Sequence, residues 1–580
     1  MPGYTEALWA PPFCFTSGMA VKRSGRTEAG SGSRPRFRAG ARARLDPDTA
    51  AYFRRALETL QEGLSPEELA LFTPNVLHEA SMAAPIVALD PGGSRLLEAL
   101  LPTAPLPLMG QLLPPLLQGG LQGPMGHPLG ARVLEAALLR VLSAMGQGEA
   151  AMGQVEDAIG RLGVTVGGAL VAAAKHPPSS FVVRALLRVL GGAPQEGRPP
   201  GGAGLKPQWA EPESKGAEPK PKGAELPPSF PPLLEQLAEA FEKHLQSLLS
   251  PPCASLCLQV ALEVLHRSQS PSCARLCCAV IGQLAPGPGG LVPALEDPTR
   301  SRVLEAAIGV MTPPLLRELY QSELKGRLRG VANHRVANHG LQRLLDHTPY
   351  DVVEAVLSEL GPSLAEPLTR GHHGVLTALM GACRRHPPLQ QGALRCLLQA
   401  FGCWEPANRR KDCVRILAKL RPFEGGAKEP EGEELELPLP ASLLLHHVLH
   451  FRDPAPVLGG LRSLPPPSLL ALAHAQHGRR LWGALLSSAS VRACVKQRLL
   501  RRLKGHWASL ACHRTGSRVL EAAWAAASGP TREAIASELA AHQGALQRDP
   551  YGRRVARAID LERFLRQRPS WRTERHPPPP

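Results

Sequence analysis

The chain has 580 residues, 43% hydrophobic and only 4% aromatic, with 66 Lys and Arg against 50 Asp and Glu and a net charge of +16. Scarce aromatics beside abundant Leu and Ala count against an all-β fold and favour stacked helices, while the basic balance favours a polyanionic partner. No apolar run reaches the roughly 18 residues that a membrane span needs, and Glu6 and several prolines interrupt what would have to be a secretory signal, so a soluble intracellular protein is expected.

Residues 1–44 are rich in Gly, Ser and Arg without periodicity, and read as a disordered basic tail that is a nuclear or nucleolar address, a phosphate-contacting arm or simply a solvated tail. The first amphipathic helix is expected over Thr49 to Gln61. From there a short motif recurs. It reads Ser94-Arg95-Leu96-Leu97-Glu98, then Ala131-Arg132-Val133-Leu134-Glu135, Ser301-Arg302-Val303-Leu304-Glu305 and Ser517-Arg518-Val519-Leu520-Glu521.

Weaker copies fall in phase at Ser180, Phe181 and Arg184; Ser255 and Gln259; Asn338, His339 and Gln342; Val375 and Leu379; Ser442 and His446; Arg479 and Gly483; and Arg553, Arg554 and Arg557. Six of the ten intervals between the eleven copies are 36 to 38 residues, the signature of a stacked repeat array. Turn-like segments such as His513 to Gly516 and Asp549 to Gly552 precede the copies and mark helix starts. A second apolar run about fifteen residues upstream, such as Leu499 to Leu510, makes the unit a helical hairpin. The expected organisation is repeats one to three over 45–192, a Pro/Lys/Glu-rich insertion over 193–229, and repeats four to seven over 230–422, opening with a helix over Leu233 to Leu249. An acidic insertion over 423–438, repeats eight to eleven over 439–566 and a Pro-rich tail over 567–580 complete the chain.

Positions one and five of the motif, four residues apart on a helix, share a polar face with position two, while positions three and seven point the other way. A single-stranded base offers one hydrogen-bonding edge and two flat faces, and helical repeats can read one base each with two or three side chains. Ser517 and Glu521 would address the edge, the carboxylate accepting from the two donors of guanine, and Arg518 would stack on the face. One copy alone would read as an ordinary surface ion pair; four full copies in phase favour base recognition.

No catalytic constellation competes with this reading. His446 and His450 have helical ligand spacing without a third ligand, no GxxxxGK[ST] loop occurs, and the twelve cysteines contain no CxxC pair, so no metal or cofactor is expected. Cys253, Cys257, Cys273 and Cys277 fall in apolar helical runs and are expected to be buried free thiols.

With its Gly-Ser-Arg-x-x-Glu strings at Gly93 to Glu98 and Gly516 to Glu521, the chain resembles the Pumilio-type RNA-binding repeat proteins, and within them the divergent eleven-repeat nucleolar branch. The strings Phe53 to Leu57, Ser180 to Arg184, Leu258 to Leu262, Leu341 to Asp346 and Gly381 to Arg385 carry the closer likeness, and the resemblance spans Leu45 to Arg566. It implies an all-α, C- or U-shaped solenoid in the nucleolus of the nucleus, monomeric and non-enzymatic, that binds the small-subunit ribosomal RNA precursor among pre-ribosome components and shields a cleavage site. It also implies an antiparallel RNA and a code in which Asn/Gln suits uracil, Ser/Glu guanine and Ser/Gln adenine, so that repeats six to four prefer 5′-UGA. Repeats seven, nine and eleven lack readable pairs, and Ala131 lacks the hydroxyl, which brings backbone recognition into play. The alternatives are a messenger RNA regulator of the Pumilio kind and a HEAT or armadillo-like protein scaffold.

Overall fold

The computed structural model describes residues 45–147, 153–193, 226–287, 289–423 and 435–566. The expectations for residues 1–44, 194–225, 424–434 and 567–580 fall outside these. Among the described residues every regular element is helical, so the all-α solenoid read from the sequence is the fold observed.

Twelve helices form a continuous row, each packed on the next: Pro47–Glu62, Pro91–Leu100, Pro128–Gln147, Pro177–Leu190, Pro252–Arg267, Arg300–Val310, Asn338–His347, His373–Arg385, Leu439–Leu449, Gly478–Ser487, Gly516–Ala526 and Pro550–Ala558. The first carries no motif and packs on the second; its start is fixed by Asp46, whose carboxylate accepts from the Asp48 and Thr49 amides. The other eleven carry the eleven motif copies. Companion helices such as Pro66–Met82, Gly153–Gly168, Phe230–Lys243 and Gly529–Ala541 form a second row. Motif helices pack on one another more extensively than the companions do, which makes theirs the inner row.

The motif's apolar positions build the core between neighbouring repeats. Position three (Leu96, Val133, Val303, Val519) and position four (Leu97, Leu134, Leu304, Leu520) are buried, each contributing about 1.5–3 kcal/mol. Because each repeat buries this stripe only against its neighbours, stability is a chain of nearest-neighbour interfaces.

Two helix expectations are corrected. The run Leu499 to Leu510 is not one helix: Ala493–Arg501 ends, Gly505 turns the chain at φ +89°, and the short Trp507–Ala511 follows. The span Leu233 to Leu249 likewise divides into Phe230–Lys243 and Leu245–Leu248. The unit therefore has three helices, a companion, a short connector and a motif helix, because the companion must cross from the outer row to the start of the inner one. Cysteines 257, 273, 277, 383, 403 and 413 are buried as expected of packed thiols, whereas Cys278 and Cys494 are exposed and Cys253 is half-buried.

Candidate nucleic-acid interface

Each motif helix begins at a recurring corner. In several repeats an Asp or His four residues before position one caps the helix: Asp90 accepts from the Gly92 and Gly93 amides at 2.8 Å, Asp549 from Tyr551 and Gly552 at 2.8 Å, and His513 Nδ1 from Thr515 and Gly516 at 3.2–3.3 Å. Repeats four, seven, eight and nine have Pro251, Gly371, Pro438 and Ala475 there instead. Directly before position one, Gly93 and Gly516 leave room for a carbonyl of the connector helix; a Cβ there would lie 2.5 Å from Val87 O and 2.8 Å from Leu510 O. In repeat three Ser179 fills this place and donates its hydroxyl to the equivalent carbonyl, Ala173 O, at 2.7 Å. The glycine of the motif thus serves the corner.

Position one turns inward. Ser94, Ser180, Ser255, Ser301 and Ser517 are all buried, and each hydroxyl donates to the carbonyl three residues back, as Ser180 does to Pro177 O at 2.7 Å and Ser255 to Pro252 O at 2.9 Å. The expected outward face holds for position two in repeats one to six and ten and for Glu521, and not for these serines or for Leu376 and Leu443, which are buried. For the serines the reason is their place in the first turn, wedged against the connector, where an unsatisfied hydroxyl would be costly. Asn338 is buried too; its amide donates to His334 O and Arg335 O, while its Oδ1 accepts from Gln342 Nε2 at 2.8 Å.

Position two forms an exposed ladder: Arg95, Arg132, Phe181, Leu256, Arg302, His339 and Arg518. Phe181 and Leu256 are 44% and 43% exposed, unusual for apolar side chains in a packed array and suited to stacking on a flat ring. The Arg184 guanidinium lies 4.5 Å from the Phe181 ring centroid.

Position five lies half-buried beneath this ladder, and the repeats differ in what holds it. In repeat one the Glu98 carboxylate meets Arg132 of repeat two at 2.9 Å. In repeat ten Glu521 is held twice, by Arg518 at 3.1 Å and by Arg554 of repeat eleven at 3.1 Å; Arg554 Nη2 also reaches Ser517 Oγ at 3.3 Å. One nitrogen of Arg554 therefore stands where a base edge would address both positions. Arg553 and Arg557 remain exposed.

Glu305 of repeat five differs from both. The next repeat offers His339 instead of an arginine, so only Arg302 approaches, at 3.4 Å from Oε2, and the buried Oε1 has no hydrogen-bond partner. Glu305 is 6% exposed, against the expectation of an outward-facing side chain. Burial pushes its carboxyl above the ordinary range, an effect that Arg302 and Arg343 oppose. Glu135 is raised by burial in the same way, opposed by Arg184, Arg188 and Arg132.

Residues one turn further along this face went unnoticed in the sequence: Arg188 beside Glu263 and Glu135, Arg343 paired with Asp346 at 3.2 Å, and Arg384. For Arg188 and for Asp346, the partner of Arg343, the signal was the same four-residue step taken once more, from Arg184 and Gln342; Arg343 and Arg384 lie off that step. In repeat eight the position-five residue His446 is buried with its Nε2 at 3.0 Å from Arg384 Nη1. An arginine can only donate, so that nitrogen carries a lone pair and the ring is neutral. His450 stacks edge-on to it at 5.0 Å, but Arg384 and Arg480 impose a positive field hostile to a cation. No group of three metal-ligating side chains occurs among the described residues. Leu379 is fully buried and Gly483 has no side chain, so repeats seven and nine present nothing at position five.

Compared with known families, residues 154–554 match the NOP9-like PUF repeat domain. The chain belongs to the NOP9-like PUF repeat family. Nucleolar protein 9 of Homo sapiens is 35% identical over 98% of this chain and 92% of its own length, and the Mus musculus protein 35% over 96% and 94%. Among solved structures, APUM23-GGAAUUGACGG superposes with a TM-score of 0.73 at 21% identity, covering 91% of this chain and 99% of that one, a likeness of fold. The PUF assignment explains why the eleven motif copies stay in register although only four retain the full string.

Proposed function

We propose that this chain is a nucleolar RNA-binding protein whose inner row holds the small-subunit (18S) ribosomal RNA precursor and shields a cleavage site during its maturation. The nucleolar placement is supported by the names of its relatives, and RNA as ligand by membership of the PUF repeat family and by the exposed position-two ladder. The observation that carries base reading is Glu305: a buried carboxylate oxygen without a partner is an acceptor waiting for a donor. Guanine brings two.

On this reading position two stacks and position five reads the edge, with the buried position-one residue setting which edge fits, so that repeats six, five and four, through Asn338/Gln342, Ser301/Glu305 and Ser255/Gln259, prefer 5′-UGA. In repeats seven to nine, Leu379, His446 and Gly483 cannot read an edge, and Arg384 and Arg480 engage the backbone instead.

The test is Glu305→Gln in the full chain, with binding measured to RNAs containing UGA or UAA. Loss of the acceptor is expected to weaken the UGA complex by about 1–3 kcal/mol and to relax or improve binding to UAA. Folding should be unimpaired, since the change removes a buried charge whose Oε1 is unsatisfied. Glu521→Gln should have a smaller effect, because Arg518 and Arg554 already occupy both oxygens. If the Glu305 variant binds every RNA as the parent does, Glu305 is a structural partner of Arg302 and base reading by this repeat is refuted.

A further inference from the structure

The net charge of the chain is not spread along it. Residues 454–532 contain twelve Lys and Arg against a single acid, Glu521. Part of this lies on the inner row, in Arg479, Arg480 and Arg518, where RNA is already proposed to run. The remainder lies on the outer row, where the inner-face reading has no use for it.

The charge of the outer row varies from helix to helix: Gly529–Ala541 carries Glu533 and Glu538 against Arg532, and Ser272–Leu284 and Gln390–Ala400 each carry one Arg and no acid. The companion helix Pro66–Met82 carries Glu67, Glu68 and Glu79 with no Lys or Arg; Phe230–Lys243 carries three Glu against one Lys; Tyr350–Leu360 carries Asp351, Glu354 and Glu359 with no base. Those three helices carry a net negative charge, part of it taken up by Arg317 on Asp351 at 2.6 Å. By contrast Ala493–Arg501 carries Lys496, Arg498 and Arg501 and no acid, and Ala455–Ser463 carries only Arg462.

Within this patch, two cations are consumed by the fold. Lys496 Nζ donates to Leu486 O at 2.6 Å, and Arg502 Nη1 donates to Arg462 O at 2.9 Å while its other Nη2 reaches Leu464 O. Arg502 thereby ties the end of the helix Ala455–Ser463 to the end of Ala493–Arg501 and brings their charges together. Arg462, Arg492, Arg498, Arg501 and Lys504 are exposed, and none meets a carboxylate among the described residues. Arg498 and Arg501 stand three apart on one helix face. A helix C-terminus favours a neighbouring cation, but that interaction falls off within the last turn and leaves five unpaired cations repelling one another.

We propose that the outer face of repeats nine and ten, centred on Arg492, Arg498, Arg501 and Lys504, is a second RNA-binding surface that grips the phosphate backbone of a segment flanking the one held on the inner row. This inference rests on the reading of the inner row as an RNA groove. Charge complementarity selects the ligand: the acid adjoining this surface, Glu538, is held by the Gly505 and Trp507 amides at 2.7 and 2.6 Å, and the guanidinium groups that predominate suit repeated phosphates. Because no exposed Phe, Tyr or Trp accompanies these cations among the described residues, the contact is insensitive to base sequence.

The test compares the full chain with the variant Arg492→Ala/Arg498→Ala/Arg501→Ala/Lys504→Ala, all at exposed positions, using a short UGA-containing RNA and the same RNA extended at both ends by unstructured flanks. The parent should bind the extended RNA more tightly than the short one. The variant should lose that gain, with its slope of log K against log salt shallower by about 3, at roughly 0.7 per cation for a single strand. Its binding to the short RNA and its melting temperature should match the parent's. A gain that survives in the variant, or an equal loss for the short RNA, overturns the second surface. So does selective capture of polyglutamate in place of the flanks, which would assign the patch to an acidic protein. Glu305→Gln separates the two readings: lost UGA preference with a retained flank effect in the quadruple variant sinks only the present inference, and the reverse sinks only base reading.

Discussion

Acidification from pH 7 to pH 5 is expected to lower the stability of the repeat seven to nine region by about 3 kcal/mol, the largest solvent-dependent effect the structure implies. His446 and His447 are both buried on the helix Leu439–Leu449, and burial, reinforced for His446 by Arg384 and Arg480 and for His447 by His446, Arg384, His450 and Arg385, depresses their pKa values to about 4 and about 3. The unfolded chain takes up these protons near the ordinary value of 6.5, whereas the folded chain does not until far lower. Through that window the unfolded state binds more protons, so stability falls as pH falls. Burial of Glu135, Glu305 and Asp346 acts in the opposite sense, since their folded-state pKa values are raised, but these start from the carboxylate range and offset the loss only at its acidic end. Hydrogen exchange of residues 439–487 at pH 7 and pH 5 measures the effect. His447→Leu, at a site where neither ring nitrogen has a hydrogen-bond partner, should flatten it by about half. Equal protection at the two pH values would show that the pair is neutral for no energetic reason.

Gly478→Ala is expected to destabilise repeat nine by about 2–4 kcal/mol. A Cβ on Gly478 would lie 1.7 Å from Leu472 O and 2.7 Å from the Leu472 carbonyl carbon, both backbone atoms of the short helix Pro466–His474. No rotamer change relieves a backbone collision, so the connector must move away and strip contacts from Leu472, which is fully buried. Five residues further on the same helix, Gly483 has nothing within 4 Å of its would-be Cβ. Gly483→Ala should therefore stabilise the helix by about 0.5–1 kcal/mol, as relief of an ordinary glycine penalty. Thermal denaturation of the two variants beside the parent decides it. Similar melting temperatures for both would mean that the corner is plastic.

The contrast between these glycines marks the limit of what the motif spelled out. Gly516 reads in the sequence both as the end of a turn that starts the helix and as part of the Gly-Ser-Arg string, and the structure gives it, like Gly93, to the corner between connector and motif helix. The Asp or His cap four residues before position one was written in the sequence at Asp90, Asp297, His334, His513 and Asp549 and could have been found from spacing alone. Serine at position one misled in a different way. A small polar residue on a polar stripe looks exposed in projection, yet at the first turn of a helix wedged between two others the backbone covers it.

The sequence by itself determined the all-α class, the number and phase of the repeats, and the apolar pair at positions three and four that stacks them. Periodicity is a local property that helix geometry converts directly into faces. Tertiary structure alone decided which copies of the motif are open. Glu98, Glu305 and Glu521 stand in the same string, but the residue that faces each one comes from the following repeat, some 34 residues away in the chain: Arg132 at 2.9 Å, His339 with no contact to the carboxylate, and Arg554 at 3.1 Å. The outer-face patch followed the same logic, since Arg462 and Arg502 meet across 40 residues of chain. Whether a charge is paired depends on what packing brings within a few ångströms, and a motif read within one repeat contains no information about the next.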